Sequence, residues 1–349
     1  MTITATIFIL SILTALITFI AIPFVRKLSV KVGAVDVPKS KRKIHKFNVP
    51  YAGLAVFLSF FIVVLIYDHS SIQIIGLLSG CLVLAVVGFL DDLFEISSAA
   101  RILGQLVAAI IVISVGIRVD IIGNFGNGND GLFSLGAFSI PFTLCWIVGI
   151  TNAIRILDGL DGLVSGVIGI VAATLGVVDL ITGRPETAVL CFILSASAFS
   201  FLPSNFSNNQ KRKVFLGDVG SNFLGFAIAV VAIMGTAKTA AAFSMVIPIL
   251  VLFVPIFDTL FAIVRRTLAG KSPFEADRLH LHFRIMDSGL GQRKATLIIY
   301  GITILLSIIS ILLAGQNGKL AIVIFVLTVS VFLTVLWKFG LIKTVTDKK

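Results

Sequence analysis

Charge is what this 349-residue chain has least of: 13% of its residues are Asp, Glu, Lys or Arg. A soluble domain carries roughly a quarter. With 58% hydrophobic residues beside it, the shortage excludes an ordinary water-soluble fold and points to lipid as the solvent. Cysteine is scarce too. Cys81, Cys145 and Cys191 all lie in apolar runs, which excludes a secreted disulfide framework and reads them as small buried hydrophobes. Tyr and Trp number three and two against 29 Phe, so interfacial aromatic belts are thin while apolar helix faces are well supplied. The first segment, Thr2 to Pro23, lacks a basic stretch before its apolar run and a small-residue cleavage site. It reads as a retained helix.

What is there is a series of apolar runs. A span needs about 20 such residues, and runs of that kind fall near 3–23, 49–67, 72–90, 101–118, 139–154, 163–182, 187–203, 214–235, 243–264, 295–314 and 319–337. The expectation is an all-α polytopic membrane protein of about 11 transmembrane helices, one integral membrane domain over 1–349. With the N-terminus outside, 24 of the 28 Lys and Arg fall on the inner side. The C-terminus is then cytoplasmic. Inner loops lie near 24–48, 91–100, 155–162, 204–213 and 265–294. A net charge of +11 would suit nucleic acid. Its placement assigns it to topology and the anionic inner leaflet instead, so no nucleic-acid partner is expected. Between 119 and 139, Gly and Asn recur among alternating apolar residues, the pattern of a small extracytoplasmic β-hairpin.

The informative carboxylates gather on the inner side. Asp91-Asp92 close the third span; two adjacent carboxylates raise each other's proton affinity, which suits a base or a metal partner. Asn152-Ala-Ile-Arg155-Ile-Leu-Asp158-Gly-Leu-Asp161-Gly places two acids three apart, expected on one helical face, with Gly beside each. Oxygen ligands of this sort suit Mg²⁺ together with substrate phosphates. Phe215-Leu-Gly-Asp218-Val-Gly-Ser is a Gly-rich turn opening a helix, and Asp218 there either caps the helix or binds metal. Asp258 stands about two turns before Arg265-Arg266, as a salt bridge or a substrate contact, with a kink expected at Pro255. The longest inner loop carries Pro273-Phe-Glu-Ala-Asp-Arg278-Leu-His280-Leu-His282-Phe283. Its cations, with Arg265 and Arg266, suit phosphate better than zinc, because no cysteine lies near. A dense basic run including Lys43 and His45 faces either lipid headgroups or a lipid phosphate.

In this order the motifs resemble the polyprenyl-phosphate N-acetylhexosamine-1-phosphate transferases (glycosyltransferase family 4). The resemblance runs from Asp36 to Arg293, with D-G-L-D-G and F-L-G-D-x-G-S as its specific parts. The last loop, P-x-x-x-D-R-x-H-x-H, is closer to the WecA/TagO-like branch than to MraY. The resemblance implies transfer of N-acetylhexosamine-1-phosphate, N-acetylglucosamine first among the sugars, from a UDP-N-acetylhexosamine to undecaprenyl phosphate, with UMP leaving. It also implies Mg²⁺, with Mn²⁺ as a substitute, a bacterial cytoplasmic membrane, an active site facing the cytoplasm and a homodimer. Asp218 and Asp158 are then expected at the metal. Catalytic work falls to Asp91, Asp92, Asp158, Asp161, His280 and His282. Substrate contacts fall to Asn152, Arg155, Asp258, Arg265, Arg266, Arg278, Lys43 and His45. Two residues depart from the family's usual pattern: Arg155 stands where Asn is usual, and Phe283 where a further His is usual. A cation-coupled transporter would place carboxylates at mid-membrane in paired broken helices, and a non-catalytic lipid-binding relative would keep the motifs without the chemistry. The acidic signature of the CDP-alcohol phosphotransferases is not present in the chain.

Overall fold

The computed structural model describes residues 2–37, 48–124, 132–236, 245–272, 279–314 and 318–338. Thirteen α-helices carry the described chain: α1 (Ile3–Val32), α2 (Gly53–Tyr67), α3 (Ile72–Phe94), α4 (Ser98–Ser114), α5 (Ser139–Leu157), α6 (Leu163–Ile181), α7 (Pro185–Asn205), α8 (Gly217–Thr236), α9 (Val246–Val251), α10 (Phe253–Leu268), α11 (Leu281–Ile285), α12 (Gln292–Leu313) and α13 (Gly318–Lys338). Two short antiparallel pairs accompany them, β1 (Val35–Asp36) with β2 (Val49–Pro50) and β3 (Ile121–Asn124) with β4 (Leu132–Ser134). Seven of the described helices are long and apolar enough to cross a membrane, and α2, α4 and part of α13 are shorter apolar helices. The chain is therefore an all-α, multi-pass membrane protein.

α8 is the hub. In its most apolar stretch 94% of the residues are buried, and it packs against α2, α3, α5, α6 and α7. Lipid supplies no hydrophobic drive between helices, so close packing of small residues must hold them together. Gly88 of α3 shows how: a Cβ there would lie 2.6 Å from the Val219 backbone. Further along, the rings of Phe57 and Phe223 meet edge to face with centroids 5.6 Å apart, a favourable geometry for aromatic quadrupoles. On α1 the buried face is polar-lined. Thr18 donates to Ser59 Oγ of α2 at 2.7 Å, while Phe8, Phe19 and Phe24 point outward.

Three local expectations change. α1 continues past Pro23 to Val32 and ends at Gly33, whose φ of 85° makes a left-handed cap. The predicted ninth span divides at Leu252 into α9 and α10. Pro255 offers no N–H to the Val251 carbonyl, so the break falls a turn before the proline itself. Finally, residues 158–162 form a turn between α5 and α6, so Asp158 and Asp161 do not share a helical face.

Candidate active site

One end of the bundle gathers the C-termini of α3, α5 and α7 and the N-terminus of α8. The entry to α8 is built by a relay of backbone contacts. Phe215 N–H donates to Pro50 O at 3.0 Å and Ala52 N–H to Phe215 O at 2.8 Å, which ties the β2 segment to the chain before α8. Gly217 then turns with a φ of +71°, a conformation that costs a residue with Cβ dearly. The first N–H groups of α8 have no partner within their own helix. Asp92, from α3, supplies one: its Oδ1 accepts from Asp218 N at 2.8 Å and its Oδ2 from Val219 N at 3.3 Å. Asp92 is thus the cap of a helix 126 positions away. Its neighbour Asp91 is 5% exposed and pairs with Arg101 Nε at 3.4 Å. Neither carboxylate is among the residues lining the cavity at this end of the bundle; Asp92 contacts the start of α8 and Asp91 pairs with Arg101 of α4.

That cavity has a volume of about 530 Å³ and receives Arg155, Asp158, Asp161, Lys213 and Asp218, with Asp36 and Tyr51 on its β-pair side. Asp158 is exposed to the cavity, but protein closes around the recess. That enclosure, then the Asp218 and Asp161 carboxylates, push its pKa up to about 8 against the pull of Arg155. Asp161 is held by the Lys213 ammonium. Lys213 also donates to Asn205 O at 2.6 Å. Asn205 accepts from Gly162 N–H and donates to Val214 O at 2.7 Å, so the acidic turn is pinned to the segment leading into α8. Across the cavity Arg155 Nη1 lies 3.5 Å from Asp218 Oδ1. Tyr51, hydrogen-bonded to Asp36, is pushed well above the usual phenol range by burial and by the Asp36, Asp92 and Asp218 charges.

The histidines form a second cluster behind the cavity wall. Asp258 of α10 accepts from Leu281 N at 2.8 Å, capping α11, and its other oxygen lies 3.0 Å from His280 Nδ1. The far nitrogen of His280 is 3.4 Å from Arg266 Nη2, and Arg265 donates to Leu279 O at 3.1 Å. The Asp258 contacts described are thus with α11. His282 is fully buried, and among the described residues neither ring nitrogen has a hydrogen-bond partner. Burial, outweighing the nearby Asp258 charge and reinforced by His280, lowers its pKa to about 4, so the ring is neutral at pH 7. It lies against the cavity-lining Gly159, where a Cβ would sit 2.6 Å from His282 Nε2. The ring that does face the cavity is Phe283.

Of the other expected contacts, Asn152 turns away from the cavity. Its amide donates to Gln105 Oε1 at 2.6 Å, Gln105 donates to Asn222 Oδ1 at 3.1 Å, and Asn222 to Asp218 O at 2.8 Å. Lys43, His45 and Arg278 lie outside the described residues. Sequence reasoning missed Asp36, Tyr51, Lys213, Asn205, Gln105 and Asn222 as parts of this assembly. Lys213 was hidden in a charge run counted only for topology, and Gln105 sits in an otherwise apolar helix with no motif around it.

Among the described residues no three His, Cys, Asp or Glu side chains converge to hold a metal by themselves. The donor set still fits Mg²⁺, which takes one or two carboxylates and completes its shell from phosphates and water. Asp158 and Asp218 face one cavity, and the Asp218 carboxylate makes the charged form of Asp158 costlier.

The fold and site together define a polytopic helical membrane protein with an acidic cavity, laced with cations, at one end of its bundle. The family model for glycosyl transferase family 4 matches residues 74–236, the stretch from α3 through α8. The chain is 40% identical to a probable undecaprenyl-phosphate N-acetylglucosaminyl 1-phosphate transferase of Bacillus subtilis, covering 92% of this chain and 88% of that protein. It is 31% identical to a decaprenyl-phosphate N-acetylglucosaminephosphotransferase of Mycolicibacterium smegmatis, over 82% and 77% of the two chains. Against an undecaprenyl-phosphate alpha-N-acetylglucosaminyl 1-phosphate transferase of Escherichia coli the identity is 31%, over 85% and 81%. The chain belongs to glycosyl transferase family 4.

Proposed function

We propose that the protein transfers N-acetylglucosamine-1-phosphate from its UDP-sugar to undecaprenyl phosphate and releases UMP. The observation that carries this reading is the single cavity in which Asp158, Asp161 and Asp218 face Arg155 and Lys213. Carboxylates for a cation, with fixed cations beside them, are what a diphosphate needs. The names of the relatives support the carbohydrate and the lipid. We place the cavity at the cytoplasmic face of a bacterial cytoplasmic membrane, with the N-terminus outside and about eleven spans. The Lys and Arg distribution supports that orientation.

In this mechanism an oxygen of the lipid phosphate attacks the β-phosphorus. A new P–O bond forms, the bond from that phosphorus to the bridging oxygen breaks, and the electron pair leaves with UMP. Bound Mg²⁺ held by Asp218 and Asp158 would neutralise charge on the departing phosphate. Arg155 donates to phosphate oxygens, and Lys213 holds Asp161 at the wall. The acceptor is already anionic, so little base work is required. Asp92 and Asp91 act by fixing the start of α8, and His280 with Asp258 acts by fixing α11. On this reading the Asp91-Asp92 pair, which the sequence suits to a base or a metal partner, takes a positioning role.

Purified protein in detergent, given undecaprenyl phosphate and a panel of UDP-sugars with and without Mg²⁺, tests the reading. UMP that depends on lipid, cation and one sugar supports it. Ion-driven substrate uptake into vesicles with no UMP formed would favour a transporter instead.

A further inference from the structure

Two cation–carboxylate pairs face the cavity among the described residues, and they are built differently. Lys213 is spent: its side chain is 8% exposed, and it holds both Asp161 and the Asn205 carbonyl. Arg155 is not. Its contact with Asp218 is long, 3.5 Å, between side chains 24% and 30% exposed. Among the described residues its Nε is buried with no hydrogen-bond partner. A guanidinium in a committed bidentate pair uses two parallel N–H donors; this one rests on a single long contact and keeps a donor in reserve. It stands in the last turn of α5, where the helix C-terminus favours a cation, and its charge reaches Asp91 and Asp158 as well.

We propose that Arg155 is a built-in, releasable counter-ion for the divalent-cation site. In the cation-free protein its guanidinium neutralises Asp218. A divalent cation arriving at Asp218 displaces it, and the freed guanidinium turns to the diphosphate of the nucleotide-sugar. This rests on the reading of Asp218 as a cation ligand. It gives Arg155 two consequences that a merely structural residue lacks. Arg155 weakens cation binding when no nucleotide is present, and it strengthens nucleotide binding when no cation is present.

Both consequences are read by binding alone, on the purified full-length protein in detergent. Free Mn²⁺ is followed by electron paramagnetic resonance without nucleotide, and UDP binding is followed by calorimetry in chelator. Removing one positive charge beside the site in Arg155→Gln should tighten Mn²⁺ roughly tenfold and weaken UDP in chelator roughly tenfold. Arg155→Asn, which restores the residue usual in the family, should do the same and guards against misfolding of the first variant. Mn²⁺ affinity that is unchanged or lower in the folded variants overturns the proposal, and so does UDP affinity that does not fall. Asp218→Asn separates the layers. If it removes Mn²⁺ binding while the Arg155 variants change nothing, only this proposal fails. If it leaves Mn²⁺ binding intact, the cation lies elsewhere and the assignment of Asp218 fails with it.

Discussion

At the scale of single residues, the site is a matter of which carboxylates are free. Among the described residues Asp218 has one loose side-chain partner, Asp158 has none that fixes it, and Asp161 is held by Lys213. Asp218→Asn should therefore abolish transfer while the protein still inserts and elutes as the wild type does; UMP release at the wild-type rate in that variant would contradict the assignment. Asp158 carries a pH prediction. Its folded-state pKa is raised to about 8, far above the value of about 4 for an unfolded Asp. The folded protein thus binds the extra proton across that window, and its stability is greatest below about pH 4 in this one respect. That contribution declines through neutral pH and is lost as pH passes about 8. In chelator, the melting temperature of Asp158→Asn should fall less between pH 5 and 8 than that of the wild type; parallel curves for the two would remove Asp158 as the source. His282 carries the opposite expectation. With a pKa near 4 it stays neutral over the working range, so a pH–rate profile from 6 to 9 should show no inflection that disappears in His282→Gln.

At the scale of elements, the decisive contacts join pieces far apart in the chain. Asp92 caps α8, Asp258 caps α11, and Asn205 ties the 158–162 turn to the segment before α8. Replacing an N-cap acid by Ala costs about 0.5–2 kcal/mol. Asp92→Ala should lower thermal stability by about that amount and raise the KM for the nucleotide-sugar, because the Asp218 turn loses its anchor. If stability holds and kcat alone collapses, Asp92 is doing chemistry instead. This is also where the sequence was least readable. The D-G-L-D-G and F-L-G-D-x-G-S segments announced their acids because glycine flanked them, and those acids do share a cavity. Nothing local marks Asp92 as a cap, since its partner N–H groups come from another helix. Asp158 and Asp161 read as one helical face because three-residue spacing is all a sequence displays; the chain instead turns there, pinned by Asn205 and by Tyr300, whose hydroxyl donates to Gly162 O.

At the scale of the whole molecule, the apolar runs were legible because lipid demands them. Each predicted span except the ninth corresponds to one helix, and the ninth divides because proline removes a donor that the bilayer cannot replace. The proposed orientation follows from the placement of Lys and Arg. It predicts that a single cysteine placed at Lys271, exposed after α10, reacts with a membrane-impermeant maleimide only from the cytoplasmic side. A cysteine at Ser70, exposed between α2 and α3, should react only from the outside. The reverse pattern would turn the cavity away from the cytoplasm.

The most direct measurement is UMP release by the purified protein supplied with undecaprenyl phosphate and UDP-N-acetylglucosamine, with and without Mg²⁺. The account predicts UMP in equal amount to the lipid-linked N-acetylglucosamine diphosphate, and none when lipid, cation or the Asp218 carboxylate is removed. A folded preparation that forms no UMP from any UDP-N-acetylhexosamine, or forms it without lipid, would contradict the account.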